Sequence, residues 1–156
     1  HVTAMPFSMM VALMSVTQMG IMEKFPNLRC AFLEIDATWL YYWARWVNKH
    51  VEDAPRVKSG HHLEPGWGED PYLLPATARD PMEYVQSGRF LSGYDEDEDL
   101  RYQIDHLGTK SFMYASDYPH SDAEWGRVHN TKALETLSAQ EKSAILGDNA
   151  ARFYKI

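Results

Sequence analysis

The spacing of apolar positions changes several times along the chain, and each change marks an element. Residues 7–23 place Met9, Met10, Leu13, Met14, Val16, Met19, Ile21 and Met22 densely along a helical period, with Pro6 where a first turn tolerates it. They predict a helix buried on most sides. Pro26 and Asn27 break the pattern. Residues 29–34 then form a short apolar run without alternation, as a parallel strand covered on both faces should. Residues 38–53 return to spacings of three and four through Trp39, Leu40, Trp43, Trp46, Val47 and His50. Residues 54–80 carry Pro55, Gly60, Pro65, Gly66, Gly68, Pro71 and Pro75 with no sustained period, which predicts one long loop. A helical turn over 81–86, a strand over 89–94, a helix over 96–107 and a strand over 111–116 come next. Ser138 and Glu141 form a capping box, Gly147 reads as a stop, and Asp148 or Asn149 reads as the cap of a last helix reaching Tyr154.

Helices alternating with such strands are the grammar of an α/β fold with a parallel sheet. Three parallel strands with flanking helices amount to about a third of an eight-stranded barrel. The 156 residues suit one domain but fall short of a whole (β/α)8 barrel, which needs at least about 200. The first residue is His1, inside what reads as working sequence. Residues 1–156 are therefore expected to form a single partial domain, with 54–80 as a long loop on the substrate side.

Composition narrows the classes further. Hydrophobic residues make up 45%, charged residues 24% and aromatics 13%, which excludes a disordered chain. With 15 basic against 22 acidic residues the net charge is −7, so neither nucleic acid nor an anionic membrane is an expected partner. The best apolar run, Met5 to Met22, is interrupted by Ser8, Ser15, Thr17 and Gln18, so no transmembrane span or signal peptide is expected. The single cysteine, Cys30, reads as a small buried hydrophobe, and a reducing, cytoplasmic setting fits.

Candidate chemistry lies where parallel strands end. Side chains at their carboxyl ends face the ligand crevice of such folds. Glu34 or Asp36 comes after the first strand and Asp117 after the third, within Ala115-Ser116-Asp117-Tyr118-Pro119-His120. A carboxylate there suits metal binding, proton transfer or both. Capping of the following turn is the competing reading for Asp117. His120 is a candidate donor or a residue that orients a carboxylate. Trp39 and Tyr118 are candidates for the substrate pocket, although the cluster Trp39, Tyr41, Tyr42, Trp43 and Trp46 also suits helix packing and subunit contact. His61 and His62 sit in the long loop, and His50, His106 and His129 fall on predicted helix surfaces or ends. The acidic run from Asp95 to Asp99 reads as a solvated helix start.

Three blocks carry a resemblance to a known family. Phe25-Pro26-Asn27-Leu28-Arg29 with Ala31-Phe32-Leu33-Glu34 and Trp39-Leu40 resembles the middle of the amidohydrolase-related TIM-barrel enzymes. The segment from Ala115 to His120 resembles their last barrel strand, and Ile145 to Tyr154 their C-terminal helix. The resemblance implies that this chain is the C-terminal part of a (β/α)8 barrel. It implies a metal-dependent hydrolase, or a non-oxidative decarboxylase, acting on a small organic substrate, with aromatic compounds and carboxylates as the candidates. It also implies a divalent ion, zinc first and manganese second, at the carboxyl mouth of the barrel. Asp117 matches the family's last-strand ligand; the first-strand pair and a mid-barrel His would lie outside this chain. Glu34 stands where some members have a His, and Met5 replaces the second His of a turn whose first His matches His1.

Two rival expectations accompany this one. The chain could be a non-catalytic subunit that completes a barrel with another chain, since open sheet edges invite a partner. Or it could act without metal through Glu34, Asp117 and His120. Association into a homo-oligomer is a further expectation.

Overall fold

A computed structural model describes residues 3–58, 79–119 and 132–156, with the side chains of 53–58 outside the description. The first helix, α1 (Ala4–Gln18), is uncharged throughout and takes Pro6 in its first turn, where amides lack helical partners anyway. The predicted helix over 7–23 is in fact two: Gly20, at φ 73°, ends α1 and opens the short α2 (Ile21–Lys24). Strand β1 is Cys30–Phe32, and α3 runs from Thr38 to Lys58. The expected loop therefore loses its first five residues to α3, and its residues 59–78 lie outside the description. Asp80 caps α4 (Pro81–Tyr84), which continues through a wide turn over Val85–Arg89 into β2 (Phe90–Ser92).

Helix α5 spans Leu100–Leu107. It begins four residues later than the sequence predicts, because Asp99 caps it by accepting from the Tyr102 amide at 3.0 Å. The acids before it form a turn and not a first helical turn. The third predicted strand is reduced to one parallel bridge, Ser92 to Phe112, after a 3-10 turn over Thr109–Ser111. The capping box of Ser138 and Glu141 forms as expected and opens α6 (Ala139–Ser143). Gly147 does not stop the chain: it lies within a wide turn, Ala144–Asp148, that runs on into α7 (Asn149–Tyr154). Neither Asp148 nor Asn149 caps α7 with its side chain, because both side chains are used elsewhere. Asp148 accepts from Ser143 at 3.0 Å, and Asn149 donates to the carbonyls of Thr109 and Phe112 at 2.8 Å each.

β1 and β2 pair in parallel with Cys30 opposite Phe90 and Phe32 opposite Ser92, and the Phe112 bridge extends the sheet. The sheet is covered on both faces, as its unalternating sequence requires. Phe32, Phe90 and Phe112 pack toward the helices in a core with Leu13, Leu40, Leu100 and Ile145, and the Phe32 and Phe90 rings stack at 5.7 Å. Leu91 and Met113 face the other way and meet Phe153 of α7, with Ala31, Leu33 and Ala150 against them. Arg29, just before β1, donates to the carbonyls of Arg152 and Phe153, which neutralises the carboxyl end of α7. That contact ties the last helix to the amino end of the sheet and leaves the carboxyl end for the loops that carry acids.

Candidate active site

All three strand segments point the same way, so their carboxyl ends share one edge. Three acids at that edge adopt the left-handed backbone that L-residues rarely use: Glu34 at φ 68°, Asp36 at φ 55° and Asp117 at φ 52°. Each such residue costs on the order of 1–3 kcal/mol and persists only where its surroundings dictate it. Glu34 is exposed and Asp117 is half-buried. Asp117 is followed by a cis bond between Tyr118 and Pro119, and the Tyr118 ring is 69% exposed. His120, the remaining predicted catalytic residue, lies outside the described residues, as do His61, His62 and His129.

The turn between β1 and α3 is gripped from β2 and the loop after it. The Gly93 amide donates to the Phe32 carbonyl at 2.9 Å, and Ser92 Oγ donates to the Asp36 carbonyl at 3.1 Å. A Cβ on Gly93 would lie 3.9 Å from Leu33 Cα and 4.0 Å from the Glu34 amide, so the two backbones touch there. Glu98 completes the grip. Its carboxylate accepts from the Ala37 amide at 2.9 Å on both oxygens and from the Thr38 amide at 2.6 Å. It also accepts from the Thr38 hydroxyl, and from the Asp95 amide at 2.9 Å. The first residues of α3 thereby find an anion for amides that have no helical partner. Partial burial first, and the neighbouring Glu98 and Asp95 charges after it, push the Asp36 carboxyl up to about 6, against a hydrogen bond from the Thr38 backbone.

Glu98 is the participant that the sequence does not announce. It sits within an unbroken acidic run that reads as solvated, and no local spacing separates it from Asp97, which is exposed and pairs with Lys132 at 3.6 Å. Trp39 is 7% exposed and meets the Phe32 ring edge-on at 5.5 Å, within the helix-side core. Its indole N–H finds no hydrogen-bond partner among the described residues. Of the other aromatics, Trp43 donates to the Met10 carbonyl at 2.8 Å and ties α3 to α1. Tyr42 and Trp46 are exposed and stack along α3. His50 and His106 each bond, through Nδ1, to the carbonyl one turn earlier in their helices, as surface histidines do.

A divalent metal at this edge needs more donors than these residues bring together. Among the described residues no group of three or more His, Cys, Asp or Glu is placed to hold an ion. On their own, then, they do not fit a metal. No helix among them is long and apolar enough to cross a membrane.

A parallel sheet faced by helices, with acids at its carboxyl edge, defines part of a TIM-like barrel. The chain belongs to the amidohydrolase family, whose model matches residues 5–156. Its fold is similar to that of an amidohydrolase from Mycobacterium avium subsp. paratuberculosis K-10, at 18% identity and a TM-score of 0.73, over 95% of this chain and 33% of that one. It is also similar to the 5-carboxyvanillate decarboxylase of Sphingomonas paucimobilis, at 20% identity and a TM-score of 0.65, over 93% of this chain and 38% of that one. The chain thus spans 33% and 38% of the two solved relatives. No curated protein matches it.

Proposed function

We propose that these residues form the C-terminal part of an amidohydrolase-type enzyme that hydrolyses a small organic substrate at the carboxyl mouth of its barrel. The observation that carries this reading is the pair of left-handed acids, Glu34 and Asp117, at the shared strand edge of a chain in that family. Functional sites are where such backbone strain is retained. Asp117 would be one oxygen donor toward a zinc or manganese ion whose other donors lie outside the described residues, and in this reading it is the proton-transfer group. Glu34 is the second acid or base, and His120 is the third candidate. Tyr118 borders the pocket, whereas Trp39, which the sequence also offers for it, is held in the helix-side core. The other metal donors, and the strands that close the barrel, come from outside the described residues. Family members generally work with a divalent metal, which when bound activates water or orients a substrate carboxylate.

Decarboxylation is the second reading, and the likeness to a decarboxylase favours it. In that case Asp117 protonates the ring carbon that loses carbon dioxide.

A panel of aryl amides and 2-hydroxybenzoates, 5-carboxyvanillate among them, separates the two chemistries by amine or carbon dioxide release. In the complete enzyme, Asp117→Asn is expected to cut turnover by at least about a hundredfold, the ordinary scale for losing a proton-transfer group. Its thermal midpoint should stay within a few degrees of the parent. Near-normal turnover would remove Asp117 from the chemistry.

A further inference from the structure

The turn that carries Glu34 is held in a costly conformation, and one side chain accounts for much of the hold. Residues 34 and 36 are both left-handed, so the turn relaxes unless something fixes it from outside. The Gly93 amide and the Ser92 hydroxyl grip it by the Phe32 and Asp36 carbonyls. Glu98 grips the start of α3 just beyond it, taking the Ala37 and Thr38 amides and the Thr38 hydroxyl on one carboxylate. The same carboxylate takes the Asp95 amide, so it bonds its own loop and the turn together. We propose that Glu98 is a positioning residue, a clamp that joins the β2–α5 loop to the β1–α3 turn and holds Glu34 at the mouth of the site.

The geometry gives Glu98 this role and not a catalytic one. Both of its oxygens are occupied by donors from the start of α3, the residue before it and its own loop. A carboxylate accepting amides at a helix start is worth most when no other acceptor is near. An amide side chain in its place turns one acceptor into a donor that faces the Ala37 and Thr38 donors. The clamp then opens and the strained turn has nothing to oppose its relaxation. An aspartate is one methylene short and cannot span from the loop to the helix start in the same pose.

This inference rests on the proposed role of Glu34, and two readouts keep them apart. The first needs no substrate: amide hydrogen exchange at Ala37 and Thr38 in the complete protein, for Glu98→Gln, Glu98→Asp and the control Asp97→Asn. Exchange at both amides should rise about tenfold or more in Glu98→Gln and less in Glu98→Asp, with Asp97→Asn like the parent. Unchanged exchange in Glu98→Gln would overturn the clamp. The second readout is kinetic, on the aryl amide or hydroxybenzoate that the enzyme turns over. For Glu98→Gln, kcat should fall about tenfold or more with KM little changed, because a misplaced group costs rate before binding. Faster exchange with an unchanged kcat would reduce Glu98 to a helix cap and defeat the positioning role. Full turnover by Glu34→Gln would instead defeat the reading of Glu34 itself, and the exchange result would still decide whether the clamp exists.

Discussion

Asp36 occupies the crowded side of the strand-end turn, with Glu98 and Asp95 for company. Its carboxyl is raised from an ordinary 3.8 to about 6. A carboxyl raised on folding stabilises the protein while it stays protonated in both states. That contribution is present below pH 3.8 and is lost as the pH rises through about 6. Asp36→Asn should therefore leave stability unchanged near pH 3.5 and raise it at pH 7. Thermal midpoints of the two proteins across that window check the sign, and a variant less stable at pH 7 would refute it. Because Asp36 is only partly buried and remains open to solvent, screening keeps the effect small. The sequence shows that acids end the strands, and that much of the site is legible from Glu34, Asp36 and Asp117. It does not show which acid is structural. Glu98 is recognisable only when the β2–α5 loop is seen against the start of α3, sixty residues earlier in the chain. Contacts of that range leave no periodic trace.

At the scale of elements, periodicity fails where one residue ends or prolongs a helix. Gly20 splits a helix whose apolar pattern runs on unbroken, because left-handed backbone is open to glycine whatever surrounds it. Gly147 does the reverse and is passed through, because the chain widens its turn there and continues. The third strand shrinks to a single bridge, from Phe112 to the last residue of β2. Asn149 shows the same limit. It reads as a helix cap, yet it is 1% exposed and satisfies two carbonyls of the Thr109–Phe112 segment while its Oδ1 accepts from Arg152 at 2.8 Å. That side chain joins α7 to the base of the third strand. Asn149→Ala should cost about 2–4 kcal/mol, since buried carbonyls lose donors that water does not replace. Urea unfolding of the two proteins measures it, and a loss under about 0.5 kcal/mol would show that water enters and takes over.

At the scale of the whole molecule, α1 buries one side and leaves an apolar side exposed among the described residues. Its inner side is buried through Leu13, Thr17 and Gln18. Its outer side exposes Phe7, Val11 and Met14, four and three residues apart, at 62%, 60% and 37%. That spacing is one helical stripe. The serines beside it present no free hydroxyls, since Ser8 donates to the Ala4 carbonyl at 2.7 Å and Ser15 to the Val11 carbonyl at 2.8 Å. A helix with no charge and no unmet donor on its outer side is suited to burial on both sides. The solved relatives are about three times longer than the span they share with this chain. In a closed barrel each outer helix has two neighbours, and α1 meets α3 on one side here. If the chain is part of a longer barrel, as proposed above, a further helix seated on α1 would bury this stripe. In the complete barrel, Phe7→Glu should cost at least about 2 kcal/mol, because burying that ring is worth about 1.5–3 kcal/mol and a charge cannot follow it into the contact. The same substitution on a helix face that stays in water should change stability by less than about 0.5 kcal/mol. Val11→Glu repeats the test one turn along. Urea titrations of both variants decide between the two magnitudes, and losses below half a kcal/mol at both positions would mean that no helix seats on α1.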